Sequence, residues 1–122
     1  MNHKYYELVS ICRKYKVLTP EDAYPEIILQ GQKFNIVPTL TLYDYSYRTE
    51  YIIFDKAINW AEESGILCTD EDLLFSDPYP SIVEWCQKHC EYTESRIKQL
   101  PQSIPIILVN HYPLIQNMAT CI

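Results

Sequence analysis

Two Asn-His pairs stand near opposite ends of the chain, Asn2-His3 in "MNHKYY" and Asn110-His111 in "PIILVNHYPL". Asparagine offers a neutral carbonyl oxygen and histidine an imidazole nitrogen, both competent for a borderline divalent ion. Histidine can instead serve as a proton donor. His111 follows a short apolar run and precedes Pro113, so the imidazole falls at the end of a strand where the backbone turns away. Open α/β sheets place ligands at such carboxyl ends. The structural alternatives are a strand-end histidine bonded to a loop, and a frayed terminus at residues 2 and 3.

Other residue clusters have bland readings beside chemical ones. Cys86, His89 and Cys90 share one helical face and could hold zinc, but no fourth ligand follows at a recognised spacing, and core packing explains them as well. Arg48, in "YDYSYR", could meet a phosphate, pair with Asp44 or lie in solvent. Asp70, Glu71, Asp72 and Asp77 lack the spacing of a calcium loop and read as a solvated surface. No serine or cysteine carries the flanking signature of a nucleophile.

The elements that must position these residues follow from periodicity. Leu8, Ile11, Cys12 and Tyr15 form one helical stripe in a helix over 5–16. Residues 27–29 and 34–37 read as hairpin arms about a Gly31-Gln32 turn, and Thr39 to Tyr43 alternate as a strand. A second helix over 55–64 is capped by Asp55 and stopped by Gly65. A third starts at the capping box Ser81–Glu84 and ends near Leu100, and "IPIILV" is a buried strand. A last helix begins at Pro113. This order predicts a mixed α/β layer architecture.

Composition limits the function classes. A chain of 122 residues with 48% hydrophobic and 21% charged residues is one folded domain rather than a disordered tail. The net charge of −6 opposes a protein built to neutralise nucleic-acid phosphates. Only two glycines are present, and no glycine-rich phosphate loop can be drawn. The lack of a spanning apolar run or signal core predicts a cytoplasmic protein without a membrane partner. Five cysteines without a regular framework predict reduced thiols.

Together, "NHKYYELVSICRKYKVLTPEDAYPE", "LTLYDYSYR", "WAEESGILCTDEDLLFSDPYPSIVEWC" and "ILVNHYPL" resemble one branch of the calcineurin-like metallophosphoesterases. That resemblance implies two divalent ions (Mn, Fe or Zn) that activate a water against a phosphate ester. It makes Asn2 and His111 ligands of one metal and His3 the group assisting the leaving group. Met1 stands where the family has glycine, Lys4 where an acidic residue is commoner, and nothing matches the other motifs. A two-metal site holds its ions about 3.5–4 Å apart with bridging oxygen, which two ligands cannot do. The expectation is therefore a single partial calcineurin-like phosphoesterase domain over 1–122, with mixed sheet layers flanked by helices. Such a middle fragment would be inactive alone, with an exposed sheet edge prone to self-association. The alternative is a small α/β interaction module or decayed gene product without catalysis. Substrate and oligomeric state stay open.

Overall fold

A computed structural model describes residues 3–67 and 69–116. Eight elements follow in order. They are α1 (His3–Lys14), β1 (Glu26–Leu29), β2 (Gln32–Pro38), a 3₁₀ turn (Phe54–Lys56), α2 (Ala57–Glu63), α3 (Thr69–Leu73), α4 (Ile82–Ile97) and β3 (Ile106–Val109). Mixed α/β architecture is thus observed. Among the described residues no helix is long and apolar enough to cross a membrane.

The sheet has three strands in the order β1-β2-β3. β1 and β2 form an antiparallel hairpin with Leu29 opposite Gln32. Its two central residues are Gln30 and Gly31, at φ 50° and 82°. Positive φ at both positions matches the right-handed strand twist, so the glycine is the second central residue and not the first. β3 pairs parallel to β2, Asn35 opposite Ile106 through Pro38 opposite Val109. A parallel pair needs a long crossover, and α2, α3 and α4 lie within it.

Thr39 to Tyr43 do not form the expected strand. Pro38 ends β2, and the Thr39 N–H donates to Val109 O at 3.0 Å. The hydroxyls of Thr39 and Thr41 then donate to Asn110 Oδ1 at 2.5 and 2.8 Å. Side-chain capture of this kind competes with a ladder and turns the segment away.

The core is small. Among the described residues Val9, Val37, Ala57 and Cys86 are its buried apolar members, joined by Thr19, Asn35 and Thr41. The Asn35 amide nitrogen has no hydrogen-bond partner among the described residues. The stripe expected to bury α1 faces outward: Leu8, Ile11 and Tyr15 are 60%, 53% and 69% exposed. The inner face is Tyr5, Val9 and Cys12 instead. Six apolar or aromatic residues between positions 5 and 12 draw two stripes, and periodicity alone does not rank them.

Helix ends follow local chemistry. Ser81 caps α4 by accepting from the Glu84 N–H at 3.2 Å. Gly65, at φ 77°, closes α2 as expected, with Ile66 N–H donating to Ala61 O and Gly65 N–H to Glu62 O. Asp55 lies inside the 3₁₀ turn, where no side-chain cap is made. The helix expected from Pro113 falls largely on residues outside those described.

Candidate functional site

Two clefts flank α4 and share Leu42 on the segment after β2. The first, about 490 Å³, lies between α1, the loop before α4, and α4 itself. Its walls are aromatic and aliphatic, with Tyr5, Phe75, Tyr79, Trp85 and Tyr92 prominent. The second, about 620 Å³, opens at the carboxyl ends of the parallel strands, against α2 and α3.

His89 is built into the first cleft from below by α4. Its ring lies 4.0 Å from that of Trp85 at a tilt of 34°. Tyr5 and Tyr79 meet it edge-on, each with ring centroids 6.5 Å away. Burial pushes its pKa down, partly opposed by Glu21, so the imidazole is held toward the neutral form. Glu21 accepts from the hydroxyls of Tyr5 and Tyr92 at 2.9 and 2.8 Å, fixing two walls of the cleft. The Tyr5 phenol is raised above its ordinary pKa, first by burial and then by that bond, so it stays a donor. Arg96 locks the same loop to α4 by donating to the carbonyls of Pro20 and Asp22.

The second cleft is tied together by phenols. Tyr112 donates to Asp70 at 2.7 Å and Tyr45 donates to Glu71. The rings of Tyr45 and Tyr112 both pack edge-on against Tyr43. Asp70 and Glu71 are therefore half-buried acceptors on α3, not part of a solvated face, while Asp72 and Asp77 are exposed. Arg48 is half-buried, and its hydrogen-bond partners do not include Asp44. It donates to the carbonyls of Ile52 and Tyr45 at 2.9 and 3.2 Å and lies over the Phe54 ring.

The Asn-His residues are placed as follows. Asn2 lies outside the described residues. His3 opens α1, its side chain 88% exposed, with Nδ1 3.2 Å from Glu7 Oε1. His111 is exposed just beyond β3, its ring edge-on to Tyr112 at 4.8 Å. Neither His3 nor His111 lines the two clefts. What the fold brings to the strand end is Asn110, through Thr39, Thr41 and the Tyr112 carbonyl.

Among the described residues, no group of three His, Cys, Asp or Glu side chains is disposed to hold a metal ion. On α4, Cys86 is buried, its thiol donating to Leu42 O at 3.4 Å. Burial, then the neighbouring Cys90, pushes that thiol up to about 11. Cys12, Cys86 and Cys90 are free thiols. From the sequence alone His89 reads only as a zinc ligand or a core residue. The signal for a cleft was the aromatic density around it, with Trp85 four residues earlier.

The architecture and clefts define a mixed α/β chain with an open, aromatic-lined groove. No family model matches the chain. It is 37% identical over 115 residues, or 93% of its length, to the acyl-carrier-protein phosphodiesterase PptH of Mycobacterium tuberculosis. The crystal structure of the phosphopantetheinyl hydrolase PptH from M. tuberculosis superposes on 97% of this chain with a TM-score of 0.88 and 35% identity. The chain spans 36% of the curated relative and 42% of the solved chain.

These findings correct the family expected from the sequence. The comparisons return a phosphopantetheinyl hydrolase and nothing calcineurin-like, so the calcineurin-like assignment of family and fold falls, while the mixed α/β class stands. The physical reason lies in the motifs. An Asn-His pair and a lone histidine are too short to specify a fold. Of the Asn-His pair at residues 110 and 111, Asn110 acts as a strand-end clamp.

Proposed function

We propose that this chain takes part in hydrolysing the phosphodiester that joins a phosphopantetheinyl group to acyl carrier protein. The carrying observation is the 37% identity over 93% of the chain to a protein named for that activity, with the same fold over 97% of it. This narrows the phosphate ester left open by the sequence to a protein-bound diester.

Within this reading His3 is the group to protonate the departing hydroxyl of the carrier protein. Glu7, one turn along α1, places Oε1 3.2 Å from the ring's Nδ1, within hydrogen-bond reach of a proton carried there. Such general acids contribute about 10²–10⁴-fold. His3→Ala is expected to lower kcat within that range with the fold unchanged by circular dichroism. Unchanged turnover removes His3 from the mechanism.

The two divalent ions, with Asn2 and His111 as ligands, form part of the proposal only as a test. The described residues do not by themselves fit a metal ion, and no step is derived through one. Hydrolysis of holo-acyl carrier protein after chelation, with and without restored Mn, Fe or Zn, decides the dependence. Full activity in chelator ends the metal reading.

A second reading is favoured by one observation. Ile106, Ile107, Leu108 and Val109 on the outer strand are all at least 36% exposed. Strands in parallel pairing are ordinarily buried on both faces. Self-association through this edge is the reading it supports.

A further inference from the structure

We infer that the aromatic cleft between α1 and α4 is the site that receives the pantetheine arm of a carrier protein, with His89 as its hydrogen-bonding contact. This rests on the proposed phosphodiesterase reading and adds to it where the substrate lies.

The two clefts differ in charge. The larger one carries Asp44, Glu62, Glu71 and Asp72 against Arg48, whose guanidinium is already engaged by two carbonyls. A phosphodiester anion is repelled there. The cleft beside α1 carries Lys4 and Lys88 against Glu21 and Asp77, with Lys88 paired to Glu91 at 2.7 Å on the exposed face of α4. Both oxygens of Glu21 are covered by phenol hydroxyls. With its cations and anions closer to balance, this mouth repels the anionic end of a phosphopantetheinyl arm less than the other does, and Lys88 can reach it by exchanging its surface pair with Glu91.

The interior matches the rest of the arm. A pantetheine chain is a slender string of methylene and methyl groups broken by two amides and ended by a thiol. Leu8, Leu42, Leu74 and Phe75 supply apolar wall. Ligand sites combine such walls with a small number of placed polar groups. His89 is that group. Its contacts are ring faces and edges, and its nitrogens have no hydrogen-bond partner among the described residues. A half-buried, neutral imidazole can donate to an amide carbonyl and accept from an amide N–H.

The two tryptophans report on the clefts separately, because Trp85 lines the first and Trp60 the second. Pantetheine is titrated into Trp60→Phe, where only Trp85 emits, and into Trp85→Phe, where only Trp60 emits. A saturable change in Trp85 emission and none in Trp60 is the expected result. His89→Phe in the Trp60→Phe background keeps the ring and loses its nitrogens, and is expected to weaken binding about tenfold. Lys88→Glu is expected to weaken phosphopantetheine while leaving pantetheine unchanged. Holo-carrier protein should perturb Trp85 and the apo form should not. A response from Trp60 alone, or from neither tryptophan, overturns the inference, as does binding indifferent to both His89→Phe and Lys88→Glu. Binding at Trp85 by a chain that releases no phosphopantetheine upholds the site and refutes the hydrolase reading instead.

Discussion

Asn110 engages both ends of its amide, accepting from Thr39 and Thr41 and donating to the Tyr112 carbonyl at 2.5 Å. It holds the segment after β2 against the end of β3. Asn110→Ala leaves the buried Thr41 hydroxyl without its acceptor, while Thr39 keeps the Val109 carbonyl, and is expected to cost about 1–3 kcal/mol in urea melts. A variant as stable as the parent would show that the clamp carries no energy. Asp22 acts in the same way for the loop after α1. Bonds from Thr19, then from Arg13, pull its carboxyl down to about 2. The ordinary aspartate value is about 3.9. A carboxyl depressed in the folded state stabilises above its unfolded pKa, and that contribution is lost as pH falls from about 4 through 2. Melts across this window should therefore steepen for the parent and flatten for Asp22→Asn. Parallel pH profiles would contradict the linkage.

At the scale of elements, stability is set at turns and caps. Ser81→Ala removes the α4 cap and is expected to cost about 0.5–2 kcal/mol. Gln30 occupies a left-handed position that asparagine fills more readily, and Gln30→Asn should stabilise by up to about 1 kcal/mol. Both changes are read from denaturation midpoints, and opposite signs would refute the turn and cap assignments. The same features explain what was legible. Ser81–Glu84 and Gly65 mark helix ends by local hydrogen bonding, so sequence alone located them. The hairpin was visible as apolar arms about a glycine, but its register was one residue off, because Gln30 accepts positive φ. Thr39 to Tyr43 alternate as a strand does, yet a side chain seventy residues away claims their hydroxyls. Distant capture of that kind leaves no local trace. α3 was hidden for a related reason: Asp70 and Glu71 look solvent-seeking until the phenols of Tyr112 and Tyr45 reach them.

The whole molecule exposes much apolar surface for its size. The outward stripe of α1 and all of β3 leave Leu8, Ile11, Tyr15 and Ile106 to Val109 more than a third uncovered. Surface of this extent is what the proposed self-association would cover. Sedimentation is expected to show concentration-dependent association that Ile107→Lys with Leu108→Lys reduces. A monomer at all concentrations would set the edge reading aside. The site was the least legible part. Short Asn-His motifs pointed to strand-end chemistry, whereas His89 gained its setting from Tyr5, Tyr79 and Trp85, brought together only by folding.

The most direct test uses the chain and purified holo-acyl carrier protein, with intact-mass spectrometry following the carrier. Conversion to the apo form with phosphopantetheine released, reduced at least a hundredfold by His3→Ala, is the expected result. A carrier that keeps its arm, at all enzyme levels and with each of Mn, Fe and Zn supplied, would contradict the account.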